Sequence, residues 1–235
     1  MNDRYTSALE VLRAAGDRPA AFAQPFVDVL PVSGAAVSTV GPVLGTETLA
    51  ATDDLAARLD ELQFDLTEGP CWDAINGRRP VLEPEMAERP PRDWPTFAAA
   101  ASDYGVSSIF AFPLLVGALP IGAVDLYSIP PITLTNDQCR QAIAMSDIIG
   151  RHVLRHAIET GSIPDAEPEP GAFSRRVIHQ ATGVVIAQLR LAPDDALVII
   201  QGHAFATGRP MKEVARDIVH GDLAFKNGDT GIEVA

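Results

Sequence analysis

Residues 173–225 read FSRRVIHQATGVVIAQLRLAPDDALVIIQGHAFATGRPMKEVARDIVHGDLAF, and this stretch determines how the end of the chain folds. Apolar residues recur within it at three- and four-residue spacing in three successive runs, which is typical of helices that each bury one face. Pro193 and Pro210 stand where a helix tolerates a first-turn proline, Gly208 stands where a helix ends, and Ser174 can cap the first helix. The pattern therefore predicts a bundle of three helices. The predicted buried faces are Ile178, Ala181, Val185 and Leu189, then Ala196, Leu197, Ile200 and Ala204, then Met211, Val214, Ala215 and Ile218.

The third predicted helix carries its basic residues on one line. Arg209, Lys212, Arg216 and His220 follow at spacings of three, four and four, which places them on the side away from Ile218. The helix dipole disfavours positive charge at a helix N-terminus, so a stability argument does not explain the first two of them. The line indicates an anionic partner. The alternative interpretation is a solvated helix face.

Four segments carry a family resemblance. VIHQATGVVIAQL, DDAL, HAFATGRP and EVARDIV resemble the ANTAR domain, a three-helix RNA-binding module of bacterial transcription antiterminators. Thr182 stands where many such domains have lysine, so the resemblance does not extend to the RNA contact of that lysine. The resemblance implies that the partner is RNA with paired stem-loops in nascent transcripts. The candidate RNA-binding residues are Arg209, Lys212 and Arg216 for phosphate, with Arg175, Arg176, Gln180 and His203 beside them.

Charge is spread unevenly along the 235 residues, whose formal net charge is −13. Residues 1–172 hold 11 Arg and 24 acidic residues, whereas residues 173–225 hold six basic and five acidic ones. Acidic surfaces repel RNA, so only the C-terminal part suits it. Both lysines, Lys212 and Lys226, are C-terminal. A Gly-rich nucleotide loop that ends in lysine is therefore excluded, and so is a phosphoacceptor receiver domain.

Residues 1–160 predict a second fold. Helical and strand patterns alternate there to give five strands and a long closing helix over Asn136–Glu159. The GPC segment at 69–71, WPTFAAAA and FPLLVGALPIGAVDLYS resemble the GAF half of actinobacterial GAF–ANTAR proteins. The resemblance implies an antiparallel sheet with flanking helices, and it does not identify the ligand. The predicted class is α+β: a GAF sensor domain at 1–160, a Pro-rich acidic linker at 161–171, an all-α ANTAR domain at 172–225 and a tail at 226–235.

Two other groups in the first half invite a chemical interpretation. Cys71 follows Pro70 at a predicted helix start, where a thiol could sense oxidant; the alternative, which we favour, is a buried cysteine beside Trp72. His152 and His156 share a helix face at metal-ligand spacing, but no third ligand is apparent, which favours a pair that faces solvent or a second subunit. No catalytic residue, metal site or cofactor is predicted.

The resemblance implies a transcription antitermination regulator, controlled by a signal at the GAF domain, that is not an enzyme. No secretory leader pattern and no apolar run of membrane-spanning length occurs, which predicts a cytoplasmic protein without a membrane partner. The long closing helix can pack on its own sheet or pair with a second subunit, and the resemblance to GAF and ANTAR proteins implies a homodimer. The alternatives are a ligand-sensing module whose three-helix end binds a protein partner, and one whose three-helix end binds DNA.

Overall fold

The computed structural model describes residues 3–41, 44–86, 88, 93–161, 175–228 and 231–234. The chain divides into two compact units, Met1–Phe173 and Ser174–Ala235. The first contains an antiparallel sheet flanked by helices, and the second contains three helices and a hairpin. The predicted α+β class is therefore confirmed. The predicted linker falls on undescribed residues apart from Gly161, so the domain borders stay predictions.

The first unit is built on a five-stranded sheet of order β2-β1-β5-β4-β3. Every neighbouring pair in it is antiparallel. The strands are β1 Gly34–Thr39, β2 Glu47–Ala51, β3 Val81–Glu83, β4 Ser108–Val116 and β5 Leu119–Ser128. The five predicted strands are thus present, with the hairpin turn at Gly117 joining the two longest.

Helices cover both faces of this sheet. They are α1 Asp3–Ala15, α2 Gln24–Val29, α3 Asp54–Leu66, α4 Pro70–Gly77, α5 Pro95–Asp103 and α6 Asn136–Thr160, with a short 3-10 turn at Pro19–Ala21. Side chains of β5 alternate between the faces: Val124 and Leu126 join the core under α1, α2 and α6, whereas Ala123 and Tyr127 face α3 to α5. The result is three layers with apolar cores on both sides of the sheet.

The closing helix α6 has a defined start and end. Thr135 forms a capping box with Gln138 at the start, and Gly161 adopts the left-handed conformation (φ 69°) at the end. The helix ends at Thr160, one residue beyond its predicted end at Glu159. None of the described helices is long and apolar enough to span a bilayer.

The second unit contains the predicted three-helix bundle. Its helices are α7 Arg176–Leu189, α8 Pro193–Thr207 and α9 Met211–His220. Gly208 ends α8 in the left-handed conformation, as predicted. The predicted inner faces are buried with one exception: Leu197 is 38% exposed. It lies about 100° around the helix from Ala196, beyond the narrow face that Ala196, Ile200 and Ala204 present. Ser174, the predicted cap of the first helix, lies outside the described residues.

A hairpin completes this unit where the sequence predicts only a tail. Its strands are β6 Phe225–Gly228 and β7 Gly231–Val234. The Phe225 N–H donates to Gln188 Oε1 of α7 at 3.0 Å, and the Phe225 ring is buried in the bundle core. In the register of this hairpin, Asn227 pairs with Ile232 and Gly228 pairs with Gly231.

Candidate nucleic-acid interface

One face of α7 is formed by small and polar residues. Arg176, Gln180, Gly183 and Ala187 follow at spacings of four, three and four, and all are exposed. A Cβ added at Gly183 would meet no atom within 4 Å, so packing does not require glycine there. Glycine inside a helix costs about 0.5–1 kcal/mol relative to alanine. A low, polar helix face results, and the backbone of a partner can approach it closely.

Two exposed arginines, Arg209 just before α9 and Arg216 in its middle, lie in different electrostatic settings. Arg216 forms no ion pair with any residue that the structure describes. Arg209 is engaged: its Nη2 lies 2.8 Å from Asp217 Oδ2, and its Nε lies 3.7 Å from Glu213 Oε2. A guanidinium has five N–H donors, so this ion pair leaves donors for a phosphate. The acidic residues nevertheless reduce the positive potential of this end of the helix.

Lys212 does not lie on the exposed basic line that its spacing predicts. Arg175, a candidate beside that line, is also buried. Each is only 5% exposed. Lys212 lies on the flank of the core face of α9, and Arg175 Nη2 lies 3.8 Å from the sulfur of Met211. Long aliphatic stems of lysine and arginine pack along apolar surface, and this burial is set by neighbouring elements that the spacing within one helix does not reveal. The basic line on α9 is thus interrupted.

The outer side of α8 is apolar. His203 is half-buried, with its ring edge-on to Phe225 at a centroid distance of 5.5 Å. In contrast, Phe205 is 69% exposed and Val198 is 60% exposed. These two residues and Leu197 form what we call the outer face of α8. Sequence reasoning did not identify Phe205; the available signal was that α8 is apolar on both sides of its core stripe.

Thr182 stands at the position where the resemblance expects lysine. Its Oγ1 donates to the Ile178 carbonyl of its own helix at 2.8 Å, and the residue is half-buried. The side chain therefore satisfies its donor within α7. It does not add a positive charge to this face.

In the first unit, Cys71 has the surroundings of a structural cysteine. It is fully buried, and its backbone N–H donates to Gln63 Oε1 at 2.8 Å. Burial raises the pKa of the thiol well above its ordinary value, and nearby acidic residues raise it further. A thiol that stays protonated is a poor nucleophile. The geometry supports the favoured interpretation of a buried cysteine.

A buried carboxyl lies at the centre of the same sheet face. Asp125 of β5 is 5% exposed between its register partners Ala36 and Ala111, and neither of its oxygens has a hydrogen-bond partner among the described residues. Burial raises the pKa of Asp125 well above its ordinary value, and Asp60 raises it further. The Thr48 hydroxyl donates to Asp60 Oδ2 at 2.5 Å. The surroundings of Asp125 therefore favour its neutral form over the carboxylate.

The sequence favours a histidine pair on α6 that faces solvent or a second subunit. The structure instead packs both histidines against elements of their own unit. His152 is 9% exposed, and its ring is stacked on Phe22 at a centroid distance of 6.4 Å. His156 Nδ1 lies 3.4 Å from Asp17 Oδ1. Packing of α1 and the following turn against α6 accounts for the burial. Among the described residues, no group of three or more His, Cys, Asp or Glu side chains is placed to hold a metal ion.

Comparison with known proteins decides what the second unit is. Residues 173–219 match the family model described as the ANTAR domain. The chain carries an ANTAR domain. The matched range contains α7, α8 and all of α9 except its last residue. The exposed face of α7 and the two arginines of α9 therefore both belong to the ANTAR domain.

The first unit is similar to solved GAF domains. The GAF domain from Acinetobacter phosphoenolpyruvate-protein phosphotransferase is 11% identical; the alignment covers 69% of this chain and 99% of that one, with a TM-score of 0.53. The corresponding domain from Coxiella burnetii is 12% identical, with coverages of 67% and 94% and a TM-score of 0.51. These likenesses establish the GAF fold, so the chain has a GAF–ANTAR architecture. No match was found among curated proteins.

Proposed function

We propose that this chain is a transcription antitermination regulator that binds structured nascent RNA through its ANTAR domain under the control of a signal sensed by its GAF domain. The observation that carries the proposal is the ANTAR match over residues 173–219. The architecture joins this domain to a sensory fold, and no bond chemistry is required of either unit. The regulator would act in the cytoplasm, where transcripts emerge.

The proposed contact surface combines two parts of the ANTAR domain. Arg176 and Gln180 flank the small-residue face of α7, and Arg209 and Arg216 lie at α9. Guanidinium groups bind phosphate through paired hydrogen bonds, and a low helix face admits the RNA backbone between them. Because Arg175 and Lys212 are buried, the proposal leaves them out of the contact set.

Base recognition needs groups other than cations. Single-stranded loops are recognised by aromatic stacking and by hydrogen bonds to base edges. Phe205 offers an exposed ring, and Gln180 offers an exposed amide with both donor and acceptor. His203 is half-buried against Phe225, so at most one edge of its ring is available. Binding of paired stem-loops would then prevent a terminator hairpin from forming, as the family resemblance implies.

Fluorescence anisotropy tests this proposal directly. The full-length protein is titrated into a labelled RNA with two stem-loops, an unstructured RNA of equal length, and a DNA duplex of the same sequence. Preferential binding of the stem-loop RNA is expected. Equal binding to all three would indicate electrostatic attraction without recognition, and preference for the duplex would favour the DNA alternative.

The outer face of α8 favours a second candidate function, binding of a protein partner. Phe205, Val198 and Leu197 expose apolar surface on a helix whose core contacts come from other residues. Exposed apolar patches often mark protein–protein interfaces. A homodimer, which the sequence predicts through the closing helix, is one such assembly. Sedimentation of the parent and of Phe205→Ser at several concentrations distinguishes the cases, because a dimer formed through α8 would dissociate in the variant and one formed through α6 would not.

A further inference from the structure

A groove of about 460 Å³ lies between α1 and α6 of the GAF domain, away from the face that holds Cys71 and Asp125. Its volume is within the usual range for small-molecule sites. Tyr5 and Leu9 of α1 provide half-buried walls, and Arg13, Arg151 and Arg155 contribute three guanidinium groups. The composition of the lining is thus apolar at the base and cationic at the rim.

The three arginines are unusual because their domain is strongly acidic. Residues 1–172 hold 24 acidic residues, but one carboxylate, that of Asp147, lines the groove. None of the three forms an ion pair with a residue in the described ranges. The C-terminal end of α1 favours a positive charge at Arg13, but α6 continues beyond Arg151 and Arg155, so its dipole does not explain Arg151. Among the described lining residues, three cations therefore face one carboxylate, that of Asp147.

His152 fixes the position of one of these cations. Its Nδ1 lies 2.5 Å from Arg155 Nη2. Burial lowers the pKa of His152, and the adjacent Arg155 lowers it further. Because a guanidinium has only N–H donors, this contact requires Nδ1 to accept, which the neutral ring allows. Arg155 is thereby oriented at the groove by a buried residue of its own helix.

We propose that this groove binds a small anion that carries two charged groups, either phosphates or carboxylates. Oriented guanidinium groups bind both chemistries through paired, charge-assisted hydrogen bonds. Arg13 reaches the ligand from α1, and Arg151 and Arg155 reach it from α6, so binding bridges the two helices. The site does not involve the ANTAR domain and stands independently of RNA binding.

Isothermal titration calorimetry of the full-length protein tests the proposal at fixed ionic strength. Inorganic pyrophosphate represents the phosphate class and malonate the dicarboxylate class. At least one is expected to bind, and the tighter one identifies the class. Arg151→Gln should weaken that binding about tenfold or more, because a hydrogen bond to a charged group contributes about 1.5–3 kcal/mol.

Arg140→Gln is the matched control, since Arg140 lies on the same helix and pairs with Asp137 outside the groove. It should bind like the parent. Arg155→Gln provides a second groove variant if circular dichroism shows that Arg151→Gln is unfolded. Absence of binding by both anions would overturn the proposal. Equal dissociation constants for the groove variants and Arg140→Gln would also overturn it, because the anion would then bind elsewhere.

Discussion

Arg209 and Asp217 are joined by an ion pair of 2.8 Å that spans the first two turns of α9. The guanidinium lies two residues before the helix, and the carboxylate lies in its second half. The pair is partly exposed, so its contribution to stability is small. Its main effect is on the surface potential, because a negative charge lies beside an arginine that we propose to contact phosphate.

Asp217→Asn is expected to strengthen RNA binding. Removal of one charge at about 10 Å from a phosphate changes the interaction by about 0.4 kcal/mol in water, which is about twofold in affinity. Anisotropy with the stem-loop RNA at low salt measures the change. Asp103→Asn, at an exposed position of the GAF domain, is the control for net charge and should bind like the parent. Weaker binding of Asp217→Asn would show that the acid acts mainly by orienting Arg209.

Lys212 and Arg216 should separate stability from RNA binding. Lys212→Ala removes a buried aliphatic stem and is expected to lower the free energy of unfolding by about 1–2 kcal/mol. Arg216→Ala should change it by under about 0.5 kcal/mol, since the residue is exposed. Urea denaturation followed by circular dichroism measures the free energy of unfolding of both variants. Lys212→Met, which keeps the stem, should bind RNA with the salt dependence of the parent; a reduced salt dependence would place the Lys212 charge at the RNA.

Gly183→Ala should stabilise the protein and weaken RNA binding together. The new Cβ has open space and removes a helix glycine, so the free energy of unfolding should rise by about 0.5–1 kcal/mol. The same methyl group would hold the RNA backbone away, at an expected loss of about fivefold in affinity, or about 1 kcal/mol. Gly202→Ala is the matched control, because its Cβ also meets no atom within 4 Å, but on α8. Unchanged RNA affinity in Gly183→Ala would exclude this face of α7 from the contact.

Asp125→Asn should make the stability of the GAF domain less dependent on pH. Because the folded pKa of Asp125 is raised, its stabilising contribution is complete below its unfolded pKa and is lost as pH rises through its folded pKa. The variant should thus be more stable than the parent at pH 8, by about 1 kcal/mol or more, and the difference should shrink as pH falls toward 4. Thermal denaturation across pH measures this, with Asp103→Asn as the exposed control. A constant difference across pH would contradict a neutral buried Asp125.

The three-helix bundle was predictable because the spacing of apolar residues, the prolines at helix starts and the glycine at a helix end all indicate the same helices. Ile178, Val185 and Ile218 are buried as their spacing predicts. Burial of Lys212 was not predictable, since a helical wheel places it on the flank and only the neighbouring elements decide whether that flank is covered. Phe205 was missed because a single apolar residue outside the predicted buried face does not by itself indicate a binding surface.

In the GAF domain, the order of elements was readable, but the electrostatics were not. The alternation of its strand gives the sheet face on which Asp125 lies. That its carboxyl has apolar neighbours across the sheet depends on Ala36 and Ala111, which are distant in the sequence. The four-residue spacing of His152 and His156 correctly places both on one face of the helix. Its environment depends on Phe22, which is 130 residues earlier in the chain.

The salt dependence of RNA binding tests the proposed function most directly. The affinity for the stem-loop RNA is measured between 50 and 200 mM salt, on the order of the range in which phosphate contacts dominate, for the parent and for the double variant Arg176→Gln/Arg216→Gln. Loss of two phosphate contacts should reduce the slope of log affinity against log salt by about 1.4, and Arg140→Gln should leave it unchanged. A slope and an affinity equal to those of the parent, in a variant that keeps its helical circular dichroism, would show that these arginines do not contact RNA and would favour the protein-partner alternative.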